Sequence, residues 1–162
     1  MQLGIFAIGR MKSGPERDLV ARYCGRLDKA APALGLSFAG ITEKPESRAG
    51  DTGQRKRDEA ALLAQHCDAI PGTMLVLLDE TGRNLASPAL ADMIGSRRDG
   101  GARRMVFAVG GPDGFDPALR ARADLTLAFG AATWPHQIVR ILLAEQLYRA
   151  TTILSGHPYH RA

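Results

Sequence analysis

Cysteine is scarce in this chain of 162 residues: Cys24 and Cys67 are the two present, and they form no CxxC pair. That excludes a disulfide framework and leaves no thiolate pair for structural zinc. Each falls on the apolar side of a predicted helix and reads as a buried free thiol, which fits a reducing compartment. Long hydrophobic runs are missing too. The unbroken stretch Met74 to Leu78 is far too short to span a bilayer. Met1-Gln2 leads into an apolar segment with no basic region before it, so no signal peptide is expected. The chain also lacks the nucleotide fingerprints. No GxGxxG follows the first predicted strand, and Gly9-Arg10-Met11-Lys12-Ser13-Gly14 leads into Pro15-Glu16 where a phosphate-binding loop needs Lys and Ser or Thr. No zinc spacing exists, so no metal is expected. No repeat, linker or low-complexity segment divides residues 1–162, and a single domain is expected.

Hydrophobic residues make up 45% of the chain, charged residues 23%, and the formal net charge is +4. This is the composition of a globular domain with a real core. The modest positive charge suits an anionic partner such as RNA without requiring one.

Strand and helix signals alternate. Leu3 to Ile8 is short, β-prone and stopped by Gly9. From Pro15 to about Ala31, the residues Leu19, Val20, Tyr23, Cys24 and Leu27 recur at helical spacing. Leu36 to Ile41 predicts a second strand, Thr42 to Gly53 a polar loop, and Gln54 to Ala69 a second helix. Thr73 to Leu78 and Met105 to Val109 are continuous apolar runs of strand length, as expected of parallel strands covered on both faces. Ser87-Pro88 opens a third helix and Asp116-Pro117 a short fourth one. Leu125 to Phe129 predicts the fifth strand. The last helix, His136 to Leu154, has apolar residues around more than one face, so a partner subunit is expected against it. The fold class predicted is α/β, with a mostly parallel sheet sandwiched by helices.

Ligands of an open parallel sheet collect beyond the carboxyl ends of its strands. Three such ends are rich in glycine or small residues: Leu78-Asp79-Glu80-Thr81-Gly82, Gly110-Gly111-Pro112-Asp113-Gly114, and Gly130-Ala131-Ala132-Thr133-Trp134-Pro135-His136. Any one alone is more readily a tight turn, but three together favour a cofactor cleft whose backbone amides reach the ligand. Three of the four histidines, His136, His157 and His160, lie near the C-terminus with the sole tryptophan, Trp134, and with Tyr148 and Tyr159. The ending His157-Pro158-Tyr159-His160-Arg161 carries groups that hold an unstacked base and its phosphate. A solvated terminus fits that stretch equally well. His66, alone on a helix, reads as a satisfied core or surface histidine. Arg55-Lys56-Arg57, Arg97-Arg98 and Arg103-Arg104 read as solvated faces, of which one or two touch RNA phosphates.

With these motifs in view, nearly the whole chain resembles the RlmH family of SPOUT methyltransferases. The resemblance rests on Ile5-Phe6-Ala7-Ile8-Gly9-Arg10, on Leu77-Leu78-Asp79 before Gly82, and on Val109-Gly110-Gly111-Pro112-Asp113-Gly114. Its most specific parts are Pro135-His136-Gln137-Ile138-Val139-Arg140, Glu145-Gln146-Leu147-Tyr148-Arg149-Ala150 and His157-Pro158-Tyr159-His160-Arg161. It implies an α/β knot, with the C-terminal part tied into a trefoil. It implies S-adenosyl-L-methionine as cofactor, held at Leu78, Gly110, Phe129, Gly130, Ala131, Ala132, Thr133 and Trp134, more through backbone than side chains along 129–134. It also implies a homodimer that methylates N3 of a pseudouridine in large-subunit ribosomal RNA, on the assembled ribosome in the cytoplasm. No DNA and no membrane enter that picture.

Within it, His136, Tyr159 and His160 are expected to contact the base and handle its proton, with Arg161 on phosphate or developing charge. Glu145, mid-helix among apolar neighbours, needs a partner if buried, and an anchor to the tail, within the chain or across the dimer, would supply one. An ion pair of Glu145 or Arg140 with no share in catalysis is an equal reading. Two other functions stay open: a methyltransferase of the same kind acting on another RNA, and a catalytically inactive ribosome-binding protein.

Overall fold

The computed structural model describes residues 1–159. His160 and Arg161, expected at the substrate, lie outside the described residues. The chain runs β1 (Gln2–Ile8), α1 (Pro15–Ala30), a 3-10 turn (Ala31–Leu34), β2 (Ser37–Lys44), α2 (Thr52–Asp68), β3 (Thr73–Asn84), α3 (Ser87–Asp99), β4 (Arg104–Val109), α4 (Pro117–Arg122), β5 (Leu125–Ala128) and α5 (His136–Leu154). All five strands lie in one sheet, ordered β2-β1-β4-β3-β5, and every pairing is parallel.

Alternation along the buried strands builds a core on each face. Leu3, Ile5 and Ala7 of β1, Val76 and Leu78 of β3, and Met105, Phe107 and Val109 of β4 face one side. There they meet Leu27 of α1, Leu90 and Ile94 of α3, and Leu143 and Leu147 of α5. The residues between them, Phe6, Ile8, Leu75, Leu77, Val106 and Ala108, face the other side with Leu63 and Cys67 of α2 and Leu119 of α4. β4 is buried at all six positions, which is why its sequence shows no alternation of polarity.

Three sequence expectations shift. Thr42 to Lys44, read as loop, continue β2 and pair with Phe6, Ala7 and Ile8. Their polar side chains hide a strand whose edge is open to water. α2 begins at Thr52, because the Asp51 carboxylate accepts from the Gln54 amide and caps it there. Ser87 does not cap α3: Ala86 stands at that position, and the Ser87 hydroxyl donates instead to Gln146 Oε1 of α5 at 2.7 Å. Asp116 does cap α4, accepting from the Ala118 amide at 2.9 Å.

The pairing of β3 with β5 breaks in a way that matters for the site. Leu78 and Arg83 both pair with Leu127, so residues 79–82 leave the sheet and return over the same strand. At the return the chain lies directly on β5. A Cβ on Gly82 would stand 2.6 Å from the Leu127 carbonyl carbon and 2.7 Å from its nitrogen. Only glycine allows one backbone to cross another so closely. Among the described residues no helix is long and apolar enough to cross a membrane.

Candidate active site

The carboxyl ends of β4, β3 and β5 are neighbours in the sheet, so their loops converge. Together with the start of α5 they enclose a cleft of about 300 Å³, at the lower end of the range for small-molecule sites. Leu78, Val109, Leu127, Phe129 and Val139 form apolar wall, Gly110 and Gly111 lie on one side, and Trp134 and His136 stand at the rim. Of the residues named for the cofactor, Leu78, Gly110, Phe129, Gly130, Ala132, Thr133 and Trp134 line this cleft, and Ala131 does not.

Each loop is tied down by side chains that spacing alone did not single out. Asp79 accepts from the Thr81 hydroxyl and amide and forms a two-pronged pair with Arg120 at 2.6 and 3.1 Å. Burial works to raise the Asp79 carboxyl, but those donors outweigh it and hold it below its ordinary value. Asp113 is gripped by Arg55 of α2 at 2.6 and 3.2 Å, and this pair holds the carboxyl below its ordinary value. Arg55 also reaches the Ala49 and Gly50 carbonyls and the Thr52 hydroxyl, so one guanidinium joins the glycine loop to residues 49–52. Glu59, buried beneath Gly111, accepts from the Ser47 amide. In the third loop the Gly130 amide donates to Asn84 Oδ1 at 2.7 Å and the Thr133 hydroxyl to Glu80 at 2.7 Å. The Trp134 indole N–H closes back on the Phe129 carbonyl at 2.9 Å. The partners that cross between loops, Asp79–Arg120, Asp113–Arg55, Gly130–Asn84 and Thr133–Glu80, lie 41–58 positions apart, and no local spacing signals them.

His136 is exposed at the first turn of α5. Although one edge is open to solvent, partial desolvation by the surrounding cleft wall, then the nearby Arg140, push its pKa below the ordinary value, against an opposing pull from Glu46. One turn on, Arg140 is 3% exposed and makes no pair with Glu145. Its guanidinium binds Glu43 at 2.8 Å and the Ile8 and Gly9 carbonyls at 2.6 and 2.8 Å, with Nε left unpartnered. It therefore fastens α5 to the ends of β1 and β2.

The remaining expected residues gather elsewhere. Glu145 binds Arg149 Nε at 2.8 Å and accepts from the Tyr159 hydroxyl at 3.2 Å. Tyr159 lies 4.9 Å from the Tyr148 ring centre, with the Arg149 guanidinium 4.9 Å above its own ring. Burial first, then Tyr23, push the Tyr159 phenol up to about 12, so near neutrality it stays protonated and cannot act as a base. His136 and Glu145 are nine positions apart on one helix, roughly 13–14 Å at 1.5 Å per residue. One chain therefore does not bring His136 together with Glu145 and Tyr159. His66 is satisfied: its Nε2 lies 2.6 Å from Arg104, and its ring packs against Phe6. Cys67 is buried and Cys24 half-buried, with burial pushing the Cys24 thiol up to about 11. No cluster of metal-binding side chains occurs among the described residues.

A family model described as "Predicted SPOUT methyltransferase" matches residues 1–160. Among curated proteins, a ribosomal RNA large subunit methyltransferase H from Brucella anthropi is 59% identical, and the match covers 100% of both chains. One of the same name from Rhizobium etli is 58% identical over 99% of both. A solved SpoU methyltransferase from Streptomyces viridochromogenes, in complex with the cofactor AdoMet, covers 95% of this chain and 58% of its own at 15% identity. Its TM-score is 0.40, a likeness too loose to build on.

Proposed function

The chain belongs to the SPOUT methyltransferases, and from there we propose that it moves a methyl group from S-adenosyl-L-methionine to N3 of a pseudouridine in large-subunit ribosomal RNA. The observation that carries this is the convergence of three loops, from three adjacent strands, on one cleft. The cleft fits the cofactor chemically. Leu78, Leu127 and Phe129 offer apolar surface to a flat adenine, and the glycine loop offers backbone with no side chain in the way. The anionic side chains Asp79 and Asp113 are already paired with Arg120 and Arg55. Bound there, S-adenosyl-L-methionine supplies an electrophilic methyl on a sulfonium.

The chain's own residues then have two tasks. Leu78 and Gly110 hold and orient the cofactor together with Phe129, Gly130, Ala132, Thr133 and Trp134, these last five through their backbone, with Ala131 shaping the loop from outside. Since the departing sulfide leaves readily, alignment of the base is the larger part of the work. The second task is the imino proton of the base. The lowered pKa of His136 keeps it neutral near pH 7 and able to take that proton. Tyr159, whose one hydroxyl proton goes to Glu145, contacts the base through its ring and its hydroxyl oxygen, and His160 and Arg161 share the task. Glu145 with Arg149 anchors that tail.

Since His136 and the tail lie apart within one chain, we read the working form as a homodimer in which one protomer's tail reaches its partner's cleft. Ile138 and Leu142, one turn apart on α5, are half-buried and belong to none of the three apolar clusters, which supports a partner on that face. The passage of Gly82 over Leu127 supports the trefoil path. One domain of net charge +4 holds naked RNA weakly, so the assembled ribosome in the cytoplasm is the expected substrate, and residues 1–162 are read as one domain. The test is transfer of labelled methyl from the cofactor to ribosomes lacking the modification, followed by mapping of the label. Label on one pseudouridine of the large-subunit RNA supports the proposal. Label on another RNA, or none with cofactor bound, overturns it.

A further inference from the structure

Resting on that reading, we infer that the Trp134 indole is a stacking surface for a base of the RNA substrate, in addition to its backbone's share in the cofactor wall. A single exposed apolar side chain on a protein surface carries no meaning by itself. Trp134 differs in three respects. It is the only large hydrophobic residue left exposed among the described residues, at 44%. It stands on the rim of the cleft, two residues from His136 on the same wall. And it is not a loose side chain. Its N–H is spent on the Phe129 carbonyl at 2.9 Å, and its loop is tied to the body at Gly130–Asn84 and Thr133–Glu80.

The indole's one polar atom is thereby engaged, and what remains free for contact is ring surface. Residues 130–137 around it are all exposed, so among the described residues nothing is packed over that outward ring surface. A ring held still in the unliganded protein loses little rotamer freedom on contact, which favours binding. Deeper apolar wall is left for the cofactor's adenine, since Leu78 and Leu127 line the same cleft and are buried. A flat nucleobase is the ligand that uses such a face, because every base has a π-surface and stacking on an aromatic ring needs no hydrogen-bond partner. The base so held is the target itself or its neighbour in the strand. Either would be fixed against the rim while His136 attends to the imino proton.

Three measurements on Trp134→Ala and Trp134→Phe test this. With ribosomes lacking the modification, Trp134→Ala should raise KM about tenfold, with kcat changed less than about twofold. Trp134→Phe, which keeps a ring, should recover most of the loss. Titration with S-adenosyl-L-homocysteine should give Kd values within about twofold of the parent, and both variants should sediment as the parent does. An unchanged KM in Trp134→Ala overturns the inference, as does a tenfold loss of cofactor affinity that accounts for the defect, or a change in oligomeric state. Because Trp134 is the sole tryptophan, its fluorescence reads the stack independently of turnover. A pseudouridine-containing RNA hairpin should quench it saturably with cofactor product present. If the parent protein methylates no ribosome, the substrate reading fails, and the fluorescence still decides the stack: no quenching overturns it.

Discussion

Arg140 shows what a single buried charge does for the site. Its guanidinium has three acceptors, one of them the Glu43 carboxylate, and these join the first turns of α5 to the ends of two strands. Removing it leaves two carbonyls without their donor and the Glu43 carboxylate, itself about a third exposed, without its partner, at a cost of about 2 kcal/mol. Arg140→Met should lower unfolding stability by that amount in urea titrations, and Arg140→Lys should restore only a part, since an ammonium cannot fork to a carboxylate and two carbonyls. A loss below about 1 kcal/mol would mean that the contacts contribute little. The sequence shows Arg140 as a polar residue on an apolar helix. It does not show the partner, because Glu43 lies 97 positions away. Glu59 makes a second prediction. Its carboxyl titrates above the ordinary range of a glutamate, burial being the largest cause and the Ser47 amide opposing it. In the unfolded chain it gives up its proton at lower pH than in the folded one. Stability attributable to it is therefore highest below about pH 4.5, falls as pH rises through the raised folded value, and stays lower above. Glu59→Gln, which keeps an acceptor for Ser47, should gain stability relative to the parent between pH 4 and pH 7. Parallel unfolding midpoints across that range would contradict this.

At the scale of elements, the site depends on where strands stop and what holds the loops beyond them. The core strands β1, β3 and β4 were legible because burial on both faces writes a continuous apolar run. The polar end of β2 and the excursion of residues 79–82 were not, because backbone pairing and a backbone crossing leave no mark on side-chain periodicity. The glycine at that crossing is testable. In Gly82→Ala the added methyl meets Leu127 and Thr126 backbone at 2.6–2.7 Å, with no flexible side chain to yield. A loss of about 3 kcal/mol in unfolding stability is expected, near the upper end for overpacking. Tolerance of alanine there would show that the two segments are free to separate. The Arg55–Asp113 pair acts on a loop and not on the core. Arg55→Met should leave the melting temperature within a few degrees while weakening cofactor affinity by up to about tenfold. Because the pair is partly exposed, high salt should narrow the difference between parent and variant. Equal affinity at low salt would show that the glycine loop needs no anchor.

Across the whole molecule, the sheet order decides the function more than any one residue does. With β4 and β3 at the centre and β5 beside them, three loops far apart in sequence meet at one end. The small-residue composition of those loops was visible in the sequence, and their convergence follows from parallel strands ending on the same side. What the sequence left open was the separation of functional groups along α5. His136 stands at the cleft, while Glu145, Arg149 and Tyr159 form a cluster at a distance. A helix carries residues to both of its ends, and reading them as one motif joins in sequence what the fold keeps apart in a single chain. The central claim is that the three loops hold S-adenosyl-L-methionine, and calorimetry tests it most directly. The parent protein should bind the cofactor saturably, with one site per chain. In Gly110→Val, where the new side chain is forced against the Phe115 ring only 3.2 Å from the Cβ position, binding should disappear while the circular dichroism of the fold persists. A parent protein that gives no saturable heat, or a valine variant that binds as tightly as the parent, would contradict it.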